Sequence, residues 1–350
     1  MVIGGLKFAR HSPIGIDLGE HSIKAAQLHQ VGKGWALYAA VGFPRKTAGA
    51  PLDEEEINRL HGVLERGGFK GRAAVLAVPR SHLMSGMLEL PPRAPGVPFD
   101  QIARMEFSRV NKCDPAGFGL SYWDLPDPAR ASKATHVMAM GYSHAAAEKY
   151  LELVEVDGLD VVALDTAASA LTRACAPLAT EGTTAILDIG YSEASLALSQ
   201  GGTLTYERRM VEAGTRRLHE ALQKQLDLNE EELAHVVCEG GLGEPEERRG
   251  AEVFSDARRA IVGHFSPLVH ELRLTFSYTE HQYPKAPVKL MLLTGGGAAI
   301  PGLASHLNGL FRMDVRVAGP GDVMECSAGA LERATPGLMT AVGLAQFVEG

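Results

Sequence analysis

The sequence predicts an α/β protein built from two similar halves around a cleft, and three stretches carry that expectation. Residues 13–30 read PIGIDLGEHSIKAAQLHQ: a short apolar run, Ile14 to Leu18, holds one acid, Asp17. Gly19, a polar turn and a second β-like run from Ile23 to Leu28 follow, a hairpin pattern with acid and glycine at the bend. Residues 184–200 read TAILDIGYSEASLALSQ, so Asp188 and Gly190 repeat Asp17 and Gly19 171 positions later. Near the C-terminus, LMLLTGGGAAIPGLASHL runs a buried apolar strand into Gly295, Gly296 and Gly297, with a helix starting near Pro301.

The residue types at these bends suit phosphate chemistry. A buried acid at a strand end is costly without a cation or donors. A neighbouring glycine lets backbone N–H groups approach a ligand closely. Together they suit a phosphate and its Mg²⁺, the amides cradling oxygens and the carboxylate holding a metal-bound water. One such hairpin is equally an ordinary turn with a part-exposed Asp; two copies in one chain point to a duplicated domain and a cleft. Glycines between a strand and a helix N-terminus suit a nucleotide's base, ribose or phosphate.

The elements follow in order. Residues 14–80 read β-β-β-α-β, with a third strand near Trp35 to Phe43. A helix spans Asp53 to Arg66, its acids at the start, its Ile57, Leu60 and Leu64 on one face, and Gly67 and Gly68 as the stop. A buried strand, Ala73 to Val78, ends at Pro79. Residues 82–164 read β-α-β-β-α-β, a split βαβ pattern: strand Leu83–Leu90, helix Phe99–Val110, strands Leu120–Asp124 and Thr135–Tyr142, helix Ala145–Val156, strand Leu159–Leu164. Four prolines stiffen the loop LPPRAPGVPFD. A helix covers 166–176, then strands Thr184–Leu187, Ala194–Ser199 and Thr203–Val211 and a helix Thr215–Gln225. Residues 229–283 are helical around a polar break, EGGLGEPEERRG, expected to be mobile. Strand Lys289–Leu293, helix Gly302–Leu310, strand Val315–Val317 and a last helix Met339–Phe347 complete the chain.

Composition excludes several classes. A length of 350 residues suggests two domains, and 45% hydrophobic with 22% charged residues is ordinary for a globular protein. A net charge of −8 argues against nucleic-acid binding by a broad basic face. The cysteines, Cys113, Cys175, Cys238 and Cys326, lie far apart without a C-x-x-C and read as reduced cytosolic thiols. The 13 histidines show no H-E-x-x-H spacing. No run of about 18 apolar residues, the length that would span a membrane, is present. The start, MVIGGLKFARHSP, is too short in apolar length for a secretory signal, and reads as a frayed or surface-touching tail.

In this order and at these separations, the three stretches resemble the two phosphate motifs and the adenosine motif of the actin, heat-shock chaperone and sugar-kinase ATPase superfamily. GIDLGEHSIKAAQL, KYLELVEVDGLDVVALDTAASAL, LLTGGGAAIPGLASHLNGLF with MDVRVAGP, and TAVGLAQF resemble the PilM family of type IV pilus assembly, itself similar to FtsA. The resemblance runs from Ile14 to Phe347. It implies a duplicated actin-like (ribonuclease H-like) ATPase fold with an inserted αβ subdomain (1C-like). The implied division is 1–81 as the first actin-like subdomain (1A), 82–164 as the insertion, and 165–180 as a return helix. Residues 181–338 form the second half (2A/2B), and 339–350 a C-terminal helix packing back on the first.

The same resemblance assigns phosphate contacts to Asp17, Gly19, Lys24, Asp188 and Gly190, and adenosine contacts to Gly214, Gly295, Gly296 and Gly297. It assigns Mg²⁺, held through water, to Asp17 and Asp188. Lys24 either balances phosphate charge or is a solvated strand lysine. Gly214 stands where the family has two glycines near the ribose; Ala213 replaces one. Glu20 departs from the family's Ser or Thr, and a carboxylate beside a polyphosphate repels it by roughly a kcal/mol. His21 offsets this only if protonated, which neutral pH disfavours. With Glu193, the two acids either tighten Mg²⁺ dependence or mark decayed nucleotide binding. The water-positioning acid falls on Ala167 in one register and on Asp165, the candidate catalytic residue, in another. Without an oriented water, hydrolysis is slow or absent.

The function implied is an ATP-binding cytoplasmic scaffold, peripheral to the inner membrane through partners. It would bind the cytoplasmic N-terminal peptide of a PilN-like protein in a groove between 1A and the insertion. Ile102, Met105 and Val110 form a candidate apolar stripe there, which serves equally well as the insertion's own packing. Two other readings stay open. One is a pseudo-ATPase scaffold of a type II secretion-like system, as in the cytoplasmic part of GspL. The other is an ATPase or small-molecule kinase, although neither a sugar-contacting loop nor a clear catalytic Asp is present. Self-association and the choice between pilus and secretion system stay open too.

Overall fold

The computed structural model describes residues 11–129, 133–155, 158–243 and 251–347. The tail before His11, the end of the helix expected to reach Val156, residues 244–250 of the polar break and the last three residues lie outside the described residues.

The first hairpin pairs β1 (Ile14–Leu18) with β2 (Ser22–Val31), setting Asp17 opposite Lys24. Strand β3 (Gly34–Pro44) extends it. Helix α1 (Glu54–Arg66) begins at Asp53, whose carboxylate accepts the Glu56 N–H at 2.9 Å and caps the first turn. Strand β4 (Ala73–Ala77) then lies parallel to β1. Next come β5 (Leu83–Leu90), α2 (Phe99–Asn111), β6 (Phe118–Asp124), β7 (Thr135–Ser143), α3 (His144–Val154), β8 (Asp160–Asp165) and α4 (Ala167–Cys175). The second half contains β9 (Thr183–Ile189), β10 (Ala194–Gln200), β11 (Thr203–Met210), α5 (Thr215–Leu226), α6 (Glu230–His235), α7 (Ala251–Gln282) and β12 (Val288–Thr294). It ends with α8 (Leu303–Phe311), β13 (Asp314–Val317), α9 (Pro320–Val323), α10 (Ala328–Leu331) and α11 (Met339–Ala345).

The two large sheets have one plan. Their strand orders are β3-β2-β1-β4-β8 and β11-β10-β9-β12-β13, each three antiparallel strands extended by two parallel ones. The hairpin repeat seen in the sequence therefore extends to a repeated five-stranded sheet, and the fold is actin-like.

The split βαβ reading of residues 82–164 needs correction. Strand β8 pairs parallel with β4 in the first large sheet, and the small sheet has only β5-β7-β6. Parallel neighbours need a crossover, usually a helix. Helix α3 is that crossover: its Tyr150 and Val154 pack with Ile14, Ile16, Ile57 and Leu60, and the Tyr150 hydroxyl donates to Ala77 O at 3.0 Å. The small sheet with α2 is thus set into the β4-to-β8 crossover. Strand β7 splits its side chains by alternation. Val137 and Ala139 face Phe107 and Phe118 under α2, while Met138 and Met140 join Leu204 of β11. Trp123 Nε1 also donates to Leu204 O at 2.6 Å, so the small sheet is seated on the second half.

The last helix closes the molecule by backbone contact. A Cβ on Gly15 of β1 would lie 2.0 Å from Ala341 O, and one on Gly343 would lie 1.9 Å from Ala170 O of α4. Only glycine allows these approaches, and the apolar side chains of α11 are buried around them. Replacing Gly343 with Ala forces the backbones apart and is expected to cost about 1–3 kcal/mol or more in chemical denaturation, as overpacked cores do. Gly329→Ala in α10, where a Cβ meets open space, should show no loss.

Candidate functional site

A cavity of about 790 Å³ lies between the halves. Asp17, Gly19 and Lys24 line it from the first hairpin, Asp188 and Gly190 from the second, and Gly295, Gly296 and Gly297 from the turn after β12. The two hairpin turns are built alike. A Cβ on Gly19 would lie 2.8 Å from Ser22 O, and one on Gly190 2.9 Å from Glu193 O, the carbonyl three residues on in both. The three late glycines differ in purpose. Gly295 has φ +82°, and its Cβ would lie 2.5 Å from Ile189 O; a Cβ on Gly297 would lie 2.3 Å from Ile189 Cγ2. These two let the turn pack onto β9, whereas Gly296 faces open space.

Each carboxylate at the first turn has a partner. Lys24 Nζ sits 3.4 Å from Asp17 Oδ2. The Ser192 hydroxyl donates to Glu20 across the cleft, so Glu20 joins the two turns. The loop after β3 supports that tip: Arg45 N donates to His21 O, and Gly49 N to Glu20 O, both at 2.8 Å. That loop is fixed by a buried pair, Arg45 Nε to Glu56 Oε2 at 2.6 Å, with Lys46 N on the other Glu56 oxygen at 3.0 Å. His21 lies edge-on to Tyr191 at 4.6 Å. Burial, then the Lys24 charge, push its pKa down, so a neutral His21 does not offset Glu20.

At the second turn, two arginines absent from the sequence reading govern the charge. Arg80 Nη2 donates to Asp188 Oδ2 at 2.6 Å, and Arg80 lies 3.7 Å from Glu193. Thr294 Oγ1 donates to Asp188 Oδ1 at 3.3 Å. Arg209 donates to both Glu193 oxygens, at 2.6 Å to the nearer, and also to Arg80 O at 2.9 Å. Burial alone would lower the Arg80 pKa; the Asp188 carboxylate and its hydrogen bond, then Glu193 and Asp17, outweigh it and raise the pKa. Glu193 is therefore neutralised and is not a free acid facing the cavity. One signal was legible: an acid at the second turn calls for a cation, and Arg80 follows directly on the strand end at Val78 and Pro79.

Other expected residues stand elsewhere. Asp165 does not line the cavity: Arg173 binds its carboxylate, and Thr166 N donates to it at 2.7 Å. Ala167 lines the cavity instead, so α4 contributes no acid to its wall. Gly214 does not line it either. A Cβ there would lie 2.3 Å from Ser192 C, because Gly214 seats α5 on the second turn. Thr215 N and Arg216 N donate to Gly190 O and Tyr191 O at 3.0 and 2.8 Å, and Thr215 and His219 face the cavity in its place. On α2 the expected stripe divides: Ile102 packs toward Phe99 and Phe118, while Met105 and Val110 are 58% and 52% exposed.

The donor set suits a phosphorylated ligand better than a bare metal. Lys24 and Arg80 bring cations to the two turn glycines, and the open face of Gly296 leaves room beside them. Among the described residues, no group of three or more His, Cys, Asp or Glu is placed to hold a metal ion directly. Water-mediated contact is what remains, and Asp17 is freer for it than Asp188, which lies under Arg80. Among the described residues, no helix is long and apolar enough to cross a membrane.

Comparison with known proteins agrees with this architecture. The chain is similar to the solved structure "PilM-PilN type IV pilus biogenesis complex", with 20% identity, TM-score 0.75, and 97% of this chain and 98% of that one covered. It is similar in fold to the ethanolamine utilization protein EutJ from Carboxydothermus hydrogenoformans, at 15% identity and TM-score 0.53 over 99% of this chain and 93% of that one. It is also similar in fold to MreB 5 of Spiroplasma citri bound to AMPPNP, at 13% identity and TM-score 0.54 over 97% and 96% of the two chains. Residues 15–347 match the family described as type IV pilus assembly protein PilM, and the chain belongs to that family.

Proposed function

We propose that this PilM-family chain is an adenine-nucleotide-binding scaffold that joins a pilus inner-membrane assembly through a PilN-like partner. The observation that carries the reading is the cavity between two matching turns, lined by Gly19 and Gly190, with Gly296 open to it. Phosphates belong between the turns, within reach of Lys24; the adenosine belongs against Gly295–Gly297. A bound Mg²⁺ would neutralise phosphate charge, and Asp17 would hold it through water. The solved MreB 5 with AMPPNP is consistent with a nucleotide in this fold. Ala167 at the wall and Asp165 tied to Arg173 support binding without efficient turnover.

The division of labour follows the sheets. The first large sheet with α1, α3 and α4 forms the first actin-like half, the small sheet with α2 is the insertion, and α11 returns to the first half. In this reading a PilN-like partner supplies the membrane attachment. Strand β8 ends one large sheet and β5 ends the small one, and an extended peptide adds to a sheet at an end strand. The solved PilM-PilN complex supports a PilN-like partner, and the ligand proposed for these edges is its peptide. Met105 and Val110, exposed on α2, are its apolar anchors.

Two experiments test this. ATP with Mg²⁺ should raise the melting temperature; a ligand at 100 times its Kd adds roughly 2.7 kcal/mol. Asp17→Ala and Gly296→Asp should each remove the shift, and phosphate release should stay at the level of buffer. No shift for the wild type at millimolar ATP would transfer the reading to a pseudo-ATPase scaffold. Separately, the N-terminal peptide of a PilN-like protein from the same organism should bind in a fluorescence titration. Met105→Glu combined with Val110→Glu should weaken it about tenfold or more, about 1.4 kcal/mol, without touching the ATP-induced shift. Unchanged peptide affinity in the double variant would place the docking surface elsewhere.

A further inference from the structure

We propose that Arg80 is the resident counter-ion of the second turn: it occupies the place at Asp188 where a divalent metal would act, and it turns to the phosphates when a nucleotide enters. The inference rests on the nucleotide reading for its second clause only.

The geometry is specific. Arg80 leaves the first half at the end of β4 and places its guanidinium 2.6 Å from Asp188 and 3.7 Å from Glu193, both in the second half. Its position does not depend on those carboxylates alone. Arg209 of β11 donates to the Arg80 carbonyl at 2.9 Å and holds Glu193 from the other side. The side chain is about one-fifth exposed and Asp188 about one-tenth, so water screens the pair weakly. Arg80 also lines the cavity, with Lys24 on the opposite turn.

This arrangement changes how a polyphosphate is received. An arginine remains charged and presents several N–H donors in one plane, a geometry that matches phosphate oxygens as well as carboxylates. Asp17, Asp188 and Glu193 each already carry a cation, from Lys24, Arg80 and Arg80 with Arg209. The acids of the second turn therefore neither repel a phosphate strongly nor recruit a metal strongly. Metal and guanidinium are alternative partners of Asp188. Arg80 also lies three residues before the start of β5, so its move toward a ligand would be felt at the strand that opens the small sheet.

The test compares wild type, Arg80→Gln and Arg80→Lys, each first shown to be folded by circular dichroism. Mn²⁺ alone is titrated into nucleotide-free protein and followed by electron paramagnetic resonance. Arg80→Gln should bind Mn²⁺ about tenfold more tightly than wild type, because it uncovers the Asp188 carboxylate, and Arg80→Lys should stay near wild type. Equal Mn²⁺ affinity in all three would overturn the proposal. If Arg80→Gln does not fold, a second measurement decides. Asp188→Asn should bind Mn²⁺ within about threefold of wild type, since Arg80 already covers that carboxylate, and a loss of about tenfold or more would overturn the proposal. A wild type that binds no ATP defeats the nucleotide reading; the comparison of Mn²⁺ affinity between Arg80→Gln and wild type then still decides whether Arg80 guards Asp188.

Discussion

The ion pair between Arg80 and Asp188 is the contact on which the rest of the site depends. It joins the end of a strand in one half to the hairpin turn of the other, at 2.6 Å and largely away from water. A buried carboxylate without a partner is strongly unfavourable, so Asp188 at the floor of a cleft requires a cation from somewhere. The fold provides it from the facing half. Arg209 fixes both the Arg80 backbone and Glu193, and Ser192 reaches Glu20 across the same gap. The halves are therefore drawn together at the place where their matching turns meet.

Behind this contact stand two backbone constraints. Gly15 and Gly343 let α11 lie directly against β1 and α4, so the chain end braces the first sheet under its turn. Gly295 and Gly297 let the turn after β12 close on β9, which sets the third wall of the cavity. The small sheet depends on the same frame. It is set into a crossover of the first half, covered by α2 on one face and seated on β11 by the other through Met138, Met140 and Trp123. Because β11 also carries Arg209, the seat of the small sheet and the clasp on Arg80 share one strand.

Much of this was legible in the sequence because it is local. The D-x-G turns, the glycine run after an apolar strand and the apolar alternation of the strands are all short-range signals. They placed the fold, the family and the cavity-lining residues Asp17, Gly19, Lys24, Asp188, Gly190 and Gly295–Gly297. What was not legible is long-range. Arg80 and Asp188 are 108 positions apart, and no spacing rule joins them. The strand β8 has the same composition whether it completes a small βαβ unit or extends the first large sheet; only the packing of Tyr150 and Val154 under β1 decides. Gly214 marks a close approach, as glycines do, but the neighbour is the Ser192 backbone and not a ligand. Asp165 illustrates the same limit: an acid at a helix start looks available until Arg173, eight residues on, is seen to hold it.

A crystal structure of the chain grown with a non-hydrolysable ATP analogue is the most direct measurement. Phosphate density should lie between the Gly19 and Gly190 turns, the base against Gly295–Gly297, and the Arg80 guanidinium should have moved from Asp188 to a phosphate oxygen. Phosphates outside the two turns, or an Arg80 still bonded to Asp188 beside bound phosphates, would contradict this arrangement.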